Sequence, residues 1–318
     1  MDVELPAYDG GKGSNHSSLV AEGKRVCYRP CINIVQGSPI EILVEGTVGE
    51  YIELNNCFLW VRIRIVTRDG LAPGADLVAP VNNILHSMWS SVELELNNKN
   101  ITGHGLHYPY RAYLENLLSY SPTSMNYQLQ TEGWHKDKAG HMNSVILTNQ
   151  AVNTGLRERA VRFNEGRLVE LYGRLHLDIF HQESLLPPGV PMKLKLTPSA
   201  GRHCLMTLAP VNNAVQIEYR IFIEECQFHV KKIVLYPHLT LEAHKLHLNK
   251  SYAYCLRTPM IKLLTLANNI GSFRETFITT GQIPQRVYIA FISQAAHDGS
   301  YQENTFNFQH FDMREICV

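Results

Sequence analysis

The chain has 318 residues, with 29 Lys+Arg against 29 Asp+Glu, 45% hydrophobic residues and only 18% charged ones. That length suits about two globular domains with sizeable cores, and the balanced charge argues against an autonomous nucleic-acid coat, which needs a cation for each phosphate it meets. Disorder is excluded by the apolar content, no apolar run approaches the ~20 residues of a membrane span, and MDVELPAYDGGKGSNHSS contains no apolar signal-peptide core. A neutral, globular, intracellular protein is expected. Its charged fraction lies below the ~25% of an ordinary soluble domain, as suits a surface facing other subunits.

In chain order, residues 1–25 read as a flexible N-terminal arm, low in apolar content and rich in Gly and Ser. From Val26 onward the dominant signal is period-two alternation, the mark of half-buried strands. Leu59, Val61, Ile63 and Ile65 share one strand face, with Arg62 and Arg64 opposite. Val81–Met88 reads as a short helix. Val92, Leu94 and Leu96 then form a strand face, and Asn97-Asn98-Lys99-Asn100 supplies hairpin chemistry. Pro109 to Leu118 is the best helix, with a first-turn proline and an apolar stripe of Tyr110, Tyr113 or Leu114, and Leu117. Alternation over Val169, Leu171, Leu175, Leu177 and Ile179 predicts a long strand, followed by another over Met192, Leu194 and Leu196. Val215 to Ile223 reads as a strand, Thr240 to Leu248 as a weak helix, and Val287, Ile289 and Phe291 as a central strand apolar on both faces. Strands at intervals without βαβ alternation indicate antiparallel sandwiches. The spacing places the first over 26–203 and the second over 204–318.

Signals for chemistry are sparse. There is no GxxxxGK[ST], GxSxG, HExxH or strand-linked GxGxxG pattern. GGKGS at 10–14 has neither a strand before it nor a helix after it, so it reads as arm and not as a phosphate cradle. The seven cysteines are scattered, and Cys27 and Cys31 have no second pair to complete a zinc site, so reduced and mostly buried thiols are expected. Among the 15 histidines, the close pairs are His104 and His107, His176 and His181, and His244 and His247. None has a third ligand nearby in sequence, and structural histidines are expected. The strongest catalytic hint is His176-Leu177-Asp178: on a strand, alternation would place both polar side chains on one face, as in jelly-roll metal-dependent oxygenases. Glu93 and Glu95, and Glu224 and Glu225, read as solvent faces and strand edges. The cluster Arg157, Arg159, Arg162 and Arg167 is interrupted by Glu158 and Glu165, and reads as a solvated or intersubunit segment, not as a phosphate stripe.

Long ordered blocks carry a resemblance. SPIEILVEG (38–46), EYIELNNCFLWVRIRIVTRDG (50–70), APVNNILHSMWSSVELELNN (79–98), YPYRAYLENLLSY (108–120) and KDKAGHMN (136–143) open the series. GRLHLDIFHQESLLPPGVPMKLKLTPS (173–199), EECQFHVKKIVLYPHLTLEAH (224–244) and GQIPQRVYIAFISQAAHDGSYQENTFNFQHFDM (281–313) continue it. Together they resemble the double jelly-roll major capsid proteins of Polinton/Maverick elements and adintoviruses, over nearly the whole chain after about residue 30. The resemblance implies an all-β double jelly-roll with short inserted helices. It also implies homotrimers tiling as pseudo-hexagonal capsomers, contacts with neighbouring capsomers and a minor capsid (penton) protein, and residence in a virion capsid made inside a host cell, in cytoplasm or nucleus. It implies no catalytic, cofactor or metal residues and no specific nucleic-acid site, and it absorbs His176 and Asp178 into a strand block. Because the chain stops at FDMREICV, where the family continues, the second jelly-roll is expected to be C-terminally truncated, with unpaired edges that promote aggregation. The alternatives are a cupin-like metal-dependent oxygenase using His176 and Asp178, and a minor capsid or penton protein of one jelly-roll.

Overall fold

The computed structural model describes residues 20–316, except 75–76, 103–106, 149, 209–216, 248–253, 255, 257–258, 268–271 and 275–283. The N-terminal arm predicted over 1–25 lies outside this range up to residue 19. The strands in chain order are β1 (Val20–Tyr28), β2 (Ile40–Val44), β3 (Tyr51–Thr67), β4 (Val78–Pro80), β5 (Trp89–Leu96) and β6 (Lys99–Asn100). They continue with β7 (Val169–Gly173), β8 (Leu185–Leu186), β9 (Met192–Pro198), β10 (Leu205–Thr207) and β11 (Tyr219–Leu235). Between them lie α1 (Ile84–Ser87), α2 (Tyr108–Ser119), α3 (Pro122–Tyr127), α4 (Thr154–Arg162) and α5 (Gly201–Cys204), with α6 (Pro237–His247) and α7 (Gln294–Asp298) after β11.

Alternation explains why β3 becomes the spine of the larger sheet. Cys57, Leu59, Val61, Ile63 and Ile65 are all buried, while Phe58, Trp60, Arg62 and Arg64 stay half-exposed on the other face. Each buried aliphatic side chain contributes roughly 1.5–3 kcal/mol over its exposed state. Earlier in the strand Ile52 and Leu54 point inward, so the parity changes at Asn55-Asn56, opposite an irregularity in β11 between His229 and Lys231. A second irregularity between Ile223 and Glu225 resets β11 in the same way, as β-bulges do.

All strand pairs are antiparallel: β1-β11-β3-β7 form one sheet, with β8 also on β3, and β2-β9-β5-β6 form the other. β4 and β10 pair separately. β1, β3, β7 and β11 lie in one sheet and β2, β5 and β9 in the other, so the chain crosses repeatedly between layers. That wrapping makes a jelly-roll-like sandwich, and both inner faces feed one hydrophobic core. The predicted hairpin is present: Asn97 and Asn98 both have positive φ (48° and 62°) between β5 and β6, the type I′ geometry that asparagine tolerates. Glu93 and Glu95 stand opposite Lys195 and Lys193 on the half-exposed outer face of the smaller sheet.

The all-β class with short inserted helices agrees with the sequence, but three local expectations need correction. First, the boundary at 203/204 does not divide the sandwich. β10 pairs with β4, and β11 sits between β1 and β3, so residues 205–235 belong to the first unit. Second, the strand predicted over 169–179 ends at Gly173, because the chain turns away and Asp178–His181 is a 3-10 turn. Third, Val287 and Ile289 form no strand; both are exposed, so the predicted two-sided burial is missing among the described residues. After α6 the described residues contain no named strand. Residues 293–308 instead pack back on the first unit: Phe306 stacks on Tyr113 with centroids 4.2 Å apart, and Thr207 N–H donates to Tyr301 O at 2.9 Å.

Candidate functional site

At one end of the sandwich, α1, α2, the turn Leu129–Glu132 and the stretch following β7 converge on a buried polar cluster. His86 on α1 is 0% exposed, Glu132 is 8% exposed and His176 is 5% exposed. One ligand-type atom from each lies within 4.8 Å of those of the other two. The His86 and His176 rings meet edge to face, with centroids 4.7 Å apart.

Local backbone features bring these groups together. Gly133, at φ 81°, ends the turn that presents Glu132, and a Cβ there would lie 2.4 Å from Ile84 Cγ2. Gly173 closes β7 beneath the same carboxylate, where a Cβ would lie 2.5 Å from Glu132 Cγ and 2.6 Å from Leu85 Cδ2. On α2, Tyr108, Arg111 and Glu115 are spaced i, i+3 and i+7, which puts them along one helix face.

The hydrogen bonds fix the tautomers. A carboxylate can only accept, so His86 Nε2–H donates to Glu132 Oε2 at 3.2 Å, and the Tyr108 hydroxyl donates to His86 Nδ1 at 2.9 Å. The same hydroxyl accepts the His176 backbone N–H at 3.0 Å. His176 Nδ1–H donates to Glu115 Oε2 at 2.8 Å, and Arg111 Nε–H donates to Glu115 Oε1 at 2.8 Å. Burial pushes the His86 pKa below the usual imidazole value despite the opposing Glu132, so the ring is neutral. Burial also raises the Tyr108 hydroxyl. Burial by itself would raise Glu115, but His176 and Arg111 outweigh it and hold the carboxyl below its usual range.

The HxD motif does not form the pair expected from it. His176 and Asp178 are not on a strand: Asp178 opens the 3-10 turn, lies half-buried, and accepts from Gln182 Nε2 at 3.3 Å. The partners of His176 come instead from α1, α2 and the turn at Glu132, which no linear spacing indicates. His181 does approach His176, at 6.2 Å between centroids, and burial with His176 nearby pushes its pKa down to about 4. His104 and the side chains of His244 and His247 lie outside the described residues. Cys57, Cys204 and Cys226 are buried thiols, each pushed up to about 12 by burial, whereas Cys27 and Cys31 are free and exposed. Of the arginine cluster, Arg159 is buried against Asp137 and not solvated.

A second feature is the outer face of the larger sheet. Phe58 stacks on Tyr172 at 5.0 Å, Arg62 lies over Trp60 and Arg64 over Phe222, and Arg62 bridges Glu225 at 2.9 Å. Half-exposed aromatic residues interleaved with arginine are the side chains enriched at protein–protein contacts. No helix among the described residues is long and apolar enough to cross a membrane.

No protein-family profile matches the chain. An uncharacterized protein of Caenorhabditis elegans, F54H12.2, is 22% identical over 298 residues, which cover 88% of this chain and 65% of that protein. Among solved structures, a chain of the Sputnik virophage matches with a TM-score of 0.51 at 10% identity, over 74% of this chain and 53% of that one. The Faustovirus major capsid protein gives a TM-score of 0.39 at 8% identity, over 77% of this chain and 58% of its own. The chain thus spans about two-thirds of the nematode relative and about half of the virophage chain. The Sputnik likeness bears on the fold alone.

Proposed function

We propose that this chain is a structural capsid protein of a Polinton- or adintovirus-like element, acting by assembly and not by catalysis. The observation that carries the reading is the two-layer sandwich, with the chain passing repeatedly between sheets, in the arrangement shared with a Sputnik virophage chain. The ordered sequence blocks from residue 38 to residue 313 point the same way. In this reading the first jelly-roll runs through β11, and a second follows it. Three copies associate side by side into a pseudo-hexagonal capsomer, which meets neighbouring capsomers and a penton protein in a virion shell. The aromatic and arginine side chains on the larger sheet supply the kind of surface such walls bury.

Size-exclusion chromatography with light scattering tests the proposal. A particle of three times the 36.1 kDa chain mass is expected. A protein that stays monomeric at tens of micromolar, with no ordered lattice by negative-stain microscopy, overturns it.

A further inference from the structure

We infer that His86, Glu132 and His176 form a binding site for one divalent first-row transition metal of the zinc class, which clamps the helical cap onto the end of the sandwich. Two imidazoles and one carboxylate are a donor set that zinc and its neighbours accept, with a fourth position left to water. The three groups come from α1, the turn before Gly133 and the stretch after β7, and their ligand-type atoms already lie within 4.8 Å of one another. Zinc bonds of about 2.0–2.2 Å place tetrahedral ligand atoms roughly 3.3–3.6 Å apart. His86 Nε2 and Glu132 Oε2 stand at 3.2 Å, so the remaining closure, from within 4.8 Å to roughly 3.6 Å, falls on His176.

The surroundings are those of metal-ligating histidines, whose second ring nitrogen is held by an outer partner. His176 Nδ1 is held by Glu115, itself fixed by Arg111, which leaves Nε2 as the nitrogen able to coordinate. His86 Nδ1 faces the Tyr108 hydroxyl. On metal binding the His86 ring proton moves from Nε2 to Nδ1 and stays on the ring. The Tyr108 hydroxyl turns its own hydrogen away and its oxygen accepts the Nδ1–H hydrogen bond, so the ring is neutral and the Nε2 lone pair is free to coordinate. One carboxylate against a divalent ion leaves a single positive charge, and Glu115 lies one residue outward to offset it. Gly173 is the small residue that leaves room for the carboxylate, and Gly133 lets the turn that carries it sit against Ile84 of α1.

The site stands whether or not the chain assembles, so its test uses a different readout. The 318-residue chain, stripped with chelator, is titrated with zinc in competition with a chromophoric chelator, and separately with cobalt to read ligand-field absorbance. One equivalent bound per chain, with a raised melting temperature, is expected. Glu132→Gln keeps the size and a hydrogen-bond acceptor for His86 but removes the charge, and Glu115→Gln removes only the outer support. Each should weaken zinc binding about tenfold or more, with circular dichroism unchanged. No zinc binding by the wild-type chain, or equal binding by wild type and Glu132→Gln, overturns the inference.

Discussion

Arg159 offers a quantitative test of how the helical segment is held to the sheets. From α4 its Nε–H donates to Pro80 O at 2.8 Å, an Nη1–H donates to His135 O, and an Nη2–H donates to Asp137 Oδ1 at 2.6 Å. Both charged side chains are 1% exposed. Asp137 also accepts from Asn153 Nδ2 at 2.9 Å and from Asn304 Nδ2 at 3.4 Å, so the pair ties residue 304 to the first unit. Arg159→Met keeps the apolar stem but removes every donor, leaving a buried carboxylate with amide partners and no counter-charge. Breaking one side of a buried pair costs about 3–5 kcal/mol, a large part of the roughly 5–15 kcal/mol that holds a typical fold. Urea unfolding followed by the fluorescence of buried Trp89 and Trp134 measures it. Asp137→Asn added to Arg159→Met should recover part of the loss, with a coupling of about 0.5–3 kcal/mol. A single-variant loss below about 1 kcal/mol, the level of an exposed pair, would refute the reasoning.

Two further outcomes follow from the same geometry. Gly173→Ala places a methyl 2.5 Å from Glu132 Cγ and 2.6 Å from Leu85 Cδ2, and overpacking of this kind costs about 1–3 kcal/mol; an unchanged urea midpoint would show that Glu132 moves aside freely. Burial lowers His135, His181 and His203 below the ordinary imidazole value of 6.5, with His181 at about 4. The unfolded chain therefore binds protons first as pH drops. Stability is full above about 6.5 and declines toward 4, and His181→Gln should flatten that slope in thermal melts. At His181 the neighbouring charges are divided, since His176 and Arg174 disfavour the proton while Glu115 and Asp178 favour it. A wild-type melting temperature that stays constant across this interval refutes the assignment.

Strand content, hairpin and principal helix were legible in the sequence because they depend on local periodicity. Alternation from Leu59 to Ile65 predicts the inward face of β3, Asn97-Asn98 predicts the turn, and Pro109 to Leu118 falls within α2. Local pattern does not carry the partner of a strand. β11 alternates as well as any strand, yet its place between β1 and β3 depends on apolar faces more than 150 residues apart in the chain closing over one core, and this moved the expected boundary at 203/204. The polar cluster was hidden for the same reason. His176 was visible beside Asp178, but the alternation that would pair them holds only on a strand, and the strand ends at Gly173. Composition and alternation by themselves determined a neutral all-β protein with short inserted helices. Only the tertiary structure decided which histidine meets which carboxylate, because that depends on where four separate segments end against one another, on Gly173 leaving room for Glu132 and on Gly133 leaving room for Ile84.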